Sequence, residues 1–214
     1  MRKHLKCALL FISLLVLIIG CSEKAHKSTK LTKDELATGD YSDEVLLHLN
    51  SRAQQLDLLF HNSAIVETLL QADKALKSKE GMSEALYQSL DQQMQQQRQT
   101  HTTQLLLYNA CAMRLKQFQS AHPAFAEIFI TDVAGMNVCQ TNMTSDFYQA
   151  DEDWWQKAYN GGKGRLYYGD IEYDQSAYSI AIPIYIPIYH KGEVIGISKS
   201  ILTIDDITRS NLHR

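Results

Sequence analysis

The chain has 214 residues, 45% of them hydrophobic, with 21 Lys and Arg against 24 Asp and Glu and a formal net charge of −3. A mildly acidic balance without a basic run leaves no electrostatic reason to hold nucleic acid or an anionic membrane surface. There is no internal repeat, and the stretch beyond residue 40 suits one domain that buries roughly 70% of its unfolded surface.

The first six residues, MRKHLK, carry Arg2, Lys3 and Lys6 and no acid, and an apolar run from Cys7 to Gly20 follows. This is the layout of a secretory signal, too short for a comfortable membrane span. The run ends in Ile18-Ile19-Gly20-Cys21, which resembles the bacterial lipobox. The resemblance implies that residues 1–20 are removed and that Cys21 is lipidated; an uncleaved helical anchor is the other reading. At roughly 0.8 kcal/mol per buried methylene, several acyl chains on Cys21 tether a protein almost permanently. In that sorting pattern Ser22 implies passage to the outer membrane of a Gram-negative cell, with the domain facing the periplasm.

Cleavage removes three of the 21 basic residues and no acid, leaving 18 against 24 and a net charge of about −6. Residues 21–40 then form the lipidated end and a polar tether. Of the four cysteines, Cys111 and Cys139 remain. In an oxidising compartment they pair as a disulfide or stay as buried thiols in apolar segments; the sequence leaves both open.

Between residues 42 and 70, Val45, Leu46, Leu49, Ala53, Leu56, Leu59, Ala64, Ile65, Leu69 and Leu70 recur at three and four. That period predicts one long amphipathic helix, or two parted near His61-Asn62. A second helical region is predicted over 83–118, with Leu86, Leu90, Met94, His101, Leu105, Tyr108, Ala112 and Leu115 on one stripe. Its glutamine-rich DQQMQQQRQ keeps the Met94 register and reads as a solvated helix face or a loose connection.

After Pro123 the period changes to two. Residues 125–131 are β-branched and aromatic, Asp132-Val133-Ala134-Gly135 reads as a turn, and 136–141 as the returning arm of a hairpin. The segment SIAIPIYIPIY alternates: Ile180, Ile182, Ile184, Ile186 and Ile188 on one face, Ala181, Pro183, Tyr185, Pro187 and Tyr189 on the other. Its prolines suggest an edge strand or a bulge. A turn at 190–193 leads into a last strand over 194–203, and Asp205-Asp206 are placed to start a helix. The expected class is α+β: long N-terminal helices on a five- to six-stranded antiparallel sheet, interrupted by one short helix that holds Trp154 and Trp155.

These residues resemble the extracellular Cache or PDC-type sensor domains, whose sheet is PAS-like. The resemblance is carried by Phe129 to Gly135, Asp151 to Ala158, Tyr168 to Ala177, the Ile-Pro-Ile strand and Gly192 to Ile197, within a domain spanning 41–207 and followed by a tail over 208–214. It implies a ligand pocket on one sheet face beneath the short helix. The residues beyond Asp206 are too few for a second membrane span, so the likeness is to a stand-alone lipoprotein form that passes its signal to a partner protein.

In a helix starting near Asp151, one tryptophan is expected to enter the core and the other to face the pocket. In the amino-acid-binding branch of the family, an arginine two positions before the first aromatic clamps the ligand carboxylate; here that position is Glu152. The branch's ammonium-holding aspartate corresponds to Asp174, or to Asp170. Aromatic faces with acids and no arginine suit a cation or small amine. Eight of the 11 tyrosines follow residue 140, and Tyr167, Tyr168 and Tyr173 are expected to line the same space. The expected ligand site is therefore Glu152, Trp154, Trp155, Tyr167, Tyr168, Asp170, Tyr173 and Asp174, with Trp155, Tyr168 and Asp174 as its defining members.

No catalytic, metal or phosphate-loop spacing is present, and the histidines, His48, His61, His101, His122 and His190 among them, stand apart in sequence. The reading is a non-enzymatic sensor that needs no cofactor and no metal. The alternative is an envelope interaction module without a small ligand.

Overall fold

The computed structural model describes residues 39–77, 84–175 and 178–212. The signal, Cys21 and nearly all of the tether lie outside the described residues. Helix α1 (Asp43–Phe60) begins where the Ser42 hydroxyl accepts the Val45 N–H, with Asp43 and Glu44 in its positive first turn. Its buried stripe is Leu46, Leu49, Ala53, Leu56 and Phe60. Asn62 then accepts the Ala64 N–H at 3.0 Å and starts α2 (Ser63–Lys77), so the helix is parted at His61-Asn62.

The second helical region is three helices: α3 (Glu84–Gln95), α4 (His101–Tyr108) and α5 (Ala110–Ala121). Thr100 caps α4 in a reciprocal pair with Thr103, and the Asn109 side chain caps α5 by accepting the Ala112 N–H at 2.8 Å. Each cap restarts the helical phase. The single stripe expected over 83–118 therefore holds at Leu90, Met94, Ala112 and Leu115 but leaves Leu86, Leu105 and Tyr108 exposed.

The strands are β1 (Phe125–Thr131), β2 (Asn137–Gln140), β3 (Tyr167–Tyr168), β4 (Glu172–Asp174), β5 (Ser179–His190) and β6 (Glu193–Thr203). All pair antiparallel in the order β2-β1-β6-β5-β3, and β4 also pairs β5. This is the α+β architecture that the resemblance implies. Between β2 and β3 stands α6 (Asp153–Tyr159), closed by a 3-10 turn over Asn160–Gly162, and α7 (Ile204–Leu212) follows β6 without a loop. The helix thus runs through residues expected as a tail.

Strand β5 is internal, not an edge, and its stretch from Ala181 to Ile188 is buried on both faces. Its prolines are tolerated because of where their missing donors point. The Pro183 carbonyl accepts the Gly169 N–H at 2.9 Å, so its ring nitrogen faces the break between β3 and β4, where no ladder bond is required. Pro187, two pairs on, faces the same side beyond the start of β3.

One sheet face packs Ile182, Ile184, Ile186 and Ile188 of β5 and Ile128 and Ile130 of β1 against Leu49, Leu56, Ile65, Leu69 and Leu115 of the helices. At roughly 1.5–3 kcal/mol per buried aliphatic side chain, this layer dominates the favourable side of folding. Helix α2 approaches β6 closely at Gly196, where a Cβ would stand 2.8 Å from a Leu69 methyl and 2.6 Å from the Thr131 carbonyl. Across the sheet a separate layer forms from Trp155, Ala158, Tyr167, Tyr185, Val194 and Ile197.

Two long-range cross-links and one turn held by its own side chain fix these elements. Asp206 of α7 makes a two-point ion pair with Arg52 of α1 at 2.6 and 2.7 Å and meets His48 Nε2 at 2.6 Å. Burial raises the Asp206 carboxyl, but Arg52 and His48 outweigh it and hold it below the usual carboxylate range. In the β1–β2 turn, Asp132 accepts the Ala134 and Met136 N–H groups at 2.9 and 3.0 Å, while burial pushes its carboxyl up to about 6. Finally, Cys111 of α5 and Cys139 of β2 are joined as a disulfide, with Cα atoms 5.8 Å apart.

The cross-link closes a chain separation of 28 residues, for which loop entropy predicts a stabilisation of roughly 3–4 kcal/mol. Reduction should lower the unfolding free energy by up to that amount in denaturant titrations. Mass spectrometry of unreduced protein should find neither Cys111 nor Cys139 reactive toward alkylation.

Candidate functional site

On the sheet face away from α1 and α2, β1, β6 and β5 align side chains in cross-strand rows. One row is Thr131–Ile197–Pro187 and the next is Phe129–Lys199–Tyr185. Helix α6 lies over both. Gln156 and Trp155 donate their N–H groups to the Glu152 carbonyl, which starts the helix, and Asn160 ends it in the left-handed region at φ 50°.

The two tryptophans divide between these rows. The Trp155 indole is buried, donates from Nε1 to the Thr131 hydroxyl at 2.8 Å and stacks on Tyr159 with ring centres 4.8 Å apart. The half-buried Trp154 stacks on Tyr185 at 5.1 Å, meets Phe129 edge-on at 5.9 Å and has the Lys199 ammonium 5.5 Å from its ring centre. Tyr185 in turn stacks on Tyr167 at 4.6 Å, and the Tyr167 hydroxyl donates to the Trp154 carbonyl at 2.8 Å. The rings form a continuous stack, not an open cage.

In front of this stack is a recess of about 400 Å³. Its walls carry Asp146, Glu152, Asp153, Asp170 and Glu172 against Lys157 and Lys199, together with Gln149, Trp154, Tyr167 and Tyr185. The segment bearing Asp146 is placed by α3, because Asp91 accepts the Phe147 and Tyr148 N–H groups at 2.7 and 3.0 Å. Burial first, and then the Asp91 charge, push the Asp146 carboxyl up to about 6; its bond from Gln149 pulls the other way. Burial also raises the phenols of Tyr167 and Tyr185 well above their ordinary value, which keeps both neutral.

Of the expected residues, Glu152, Trp154, Tyr167 and Asp170 line this recess. Trp155 and Tyr168 do not, which corrects the expectation that they define it. Consecutive strand residues point to opposite faces, so Tyr168 enters the helix-side core and donates to Asn50 of α1 at 2.7 Å. Trp155 follows Trp154 by one helical step of about 100° and turns from the recess to Thr131. Tyr173 is 59% exposed, and Asp174 is buried opposite Ser179 at the far end of β4; neither lines the recess. Asp174 still acts on the site at a distance, being among the charges that raise the Tyr185 phenol.

Sequence reasoning missed Asp146, Asp153, Lys157, Glu172, Tyr185 and Lys199 as lining. Tyr185 and Lys199 carried a signal: each sits on the recess-facing parity of its strand, and Lys199 is the one charge in IGISKSILT. Asp146 carried none, since a loop residue is placed by Asp91 more than fifty positions earlier.

A larger cavity of about 710 Å³ lies between α1, the end of α5 and the start of α7. Its Arg52 and Asp206 satisfy each other, so that wall offers little unspent charge. Among the described residues no cluster of His, Cys, Asp and Glu is arranged to hold a metal ion, and no helix is long and apolar enough to cross a membrane.

No protein-family model matches the sequence, and none of the curated proteins does. Solved structures that match include the extracellular domain of the histidine kinase vpHK1S-Z8, at 12% identity and a TM-score of 0.46 over 78% of this chain and 54% of that one. The ligand-binding domain of the Campylobacter jejuni chemoreceptor Tlp3, in complex with 4-methylisoleucine, matches at 12% identity and 0.39 over 78% and 63%. The sensor domain of the V. cholerae histidine kinase DctB matches at 18% identity and 0.36 over 78% and 60%. The chain spans less than two thirds of the length of each.

The tryptophans should separate in their effects. Replacing Trp155 by Phe removes a buried donor and leaves the Thr131 hydroxyl with only its bond to the Ile197 carbonyl, costing roughly 1–3 kcal/mol in denaturant unfolding. Replacing Trp154 by Phe should cost under about 1 kcal/mol, since that ring is partly solvated and donates no bond that holds the fold. The reverse ranking would contradict the placement of the two indoles.

Proposed function

We propose that this chain is a lipid-anchored sensor module facing the periplasm, which binds a small cationic or amine metabolite and passes the signal to a partner protein. It works by binding, not by catalysis. The observation that carries the reading is the charge of the recess: five carboxylates against two ammonium groups around one aromatic stack.

Such a cluster is unfavourable in an empty protein. Like charges around one recess repel, and burial strips the hydration of Asp146, while Glu152, Asp153, Asp170 and Glu172 are exposed and repel through solvent. The raised Asp146 carboxyl is that cost expressed on one group. A ligand cation relieves it, and Trp154 offers a ring edge and face for its alkyl or ammonium portion, contributing roughly 0.5–2 kcal/mol. Glu152 supports the same choice, because a carboxylate at that position repels a ligand carboxylate. Lipid anchoring rests on the Ile18-Ile19-Gly20-Cys21 pattern, and an oxidising compartment accords with the Cys111–Cys139 cross-link.

The partner-docking reading has one observation of its own. Ile171, Tyr173, Tyr178 and Ile180 are each more than half exposed around the β4–β5 pairing, and Tyr173 stands opposite Ile180. This apolar patch is where a partner would dock, whether or not a small ligand is bound.

Calorimetry with butylammonium should show binding that weakens with added salt. Replacing Asp170 by Asn should weaken it several-fold, as expected for losing one partly screened charge at roughly 1 kcal/mol. Because the Asp146 carboxyl takes up its proton near pH 6, affinity should fall as pH drops through that value. Asp146→Asn should flatten that dependence. Binding of butyrate in place of butylammonium would refute the cationic reading.

A further inference from the structure

We propose that Lys199 is a resident cation of the recess: its ammonium occupies the place beside Trp154 that a ligand cation takes, so it sets the affinity threshold of the sensor. This rests on the cation-binding reading above and adds the device that tunes it.

The placement is specific. Lys199 is the middle member of the row Phe129–Lys199–Tyr185, held in register by β1 on one side and β5 on the other. Phe129 and Tyr185 are the rings that Trp154 contacts edge-on and face-on. The lysine therefore rises from the sheet floor between two aromatic supports of the indole, and its Nζ is 5.5 Å from the indole centre. Neighbours on either side along β6, Ile197 and Ile201, share its face and are fully buried. Lys199, between them, is half-buried and reaches the open recess.

A lysine built there has three physical consequences. It neutralises part of the acidic wall, which lowers the cost of the empty state. It competes with any incoming ammonium for the same ring and the same carboxylates. It also leaves readily, because a flexible four-carbon stem with a solvated head swings out without disturbing the floor. Lys157, the other base of the recess, lies on the exposed side of α6 and has no such ring contact in the described structure. An ordinary packing role does not explain a charged side chain at this row position, since an aliphatic residue would fill it between Phe129 and Tyr185 as well.

The alternative role is opposite in sign: Lys199 would hold a ligand carboxylate, and its loss would weaken binding. The two are separated by measuring butylammonium affinity by calorimetry in the full chain for wild type, Lys199→Met and Lys199→Arg. Removing a competing cation–ring contact predicts about a tenfold gain in affinity for Lys199→Met, with Lys199→Arg near wild type. Trp154 emission should change in Lys199→Met before ligand is added, and adding butylammonium to that variant should move the emission back toward the wild-type value. Thermal unfolding of Lys199→Gln provides a folded neutral variant should the methionine form aggregate. Equal affinity in wild type and both neutral variants overturns the resident-cation proposal and leaves the cation site standing. Weaker binding in the neutral variants overturns it in favour of carboxylate capture. No binding of butylammonium to any form overturns the site itself, and the proposal with it.

Discussion

The structure depends on a two-residue alternation held over the length of β5 and matched in β6. Every second side chain of β5 from Ile182 to Ile188 goes to the helices, and every second one from Ala181 to Pro187 goes to the other face. A slip of one residue would put Tyr185 and Lys199 into the helix-side core and turn the isoleucines toward the recess. The hydrophobic layer thus enforces the register, and the register delivers Phe129, Lys199 and Tyr185 to one line beneath Trp154. Site geometry here follows from core packing, to which the Tyr167–Trp154 and Trp155–Thr131 bonds are added.

The charges show the opposite logic. Where the fold needs stability, polar groups are matched: Asp206 with Arg52 and His48, Asp132 with two backbone N–H groups, Trp155 with Thr131. Around the recess they are not matched in number, and the Asp146 carboxyl is displaced upward. An excess of acids over bases on one concave surface is the feature on which the proposed function rests.

Much of the fold was legible in the sequence because it is written in local periodicity. The β1 and β5 alternations, the Asp132–Gly135 turn, the double tryptophan on a short helix and the order of helices before sheet all follow from neighbours within a few residues. The breaks at Thr100 and Asn109 were missed because single polar caps outweigh an apolar period that looks continuous. Proline suggested an edge or a bulge for β5 because its donor is absent; the structure places that absence opposite a gap, with a register shift between Ile188 and Tyr189 just beyond Pro187. At the recess, Glu152 and Asp170 were singled out by the resemblance, Trp154 by the double tryptophan and Tyr167 by the crowding of tyrosines after residue 140, and all four are among its lining. Trp155 and Tyr168 were misassigned because facing was taken from aromatic type, when one step along a helix or strand decides it. Asp146, Glu172 and Lys199 come together only through the sheet order.

The proposed function requires a cation to enter the recess between Trp154 and the acids Asp170 and Glu172. A crystal structure grown with butylammonium decides this. Density for the ammonium is expected beside the Trp154 ring and within reach of Asp170 or Glu172, with the Lys199 side chain turned out toward solvent. Density confined to the cavity beside Arg52 and Asp206, with Lys199 unmoved against Trp154, would contradict it.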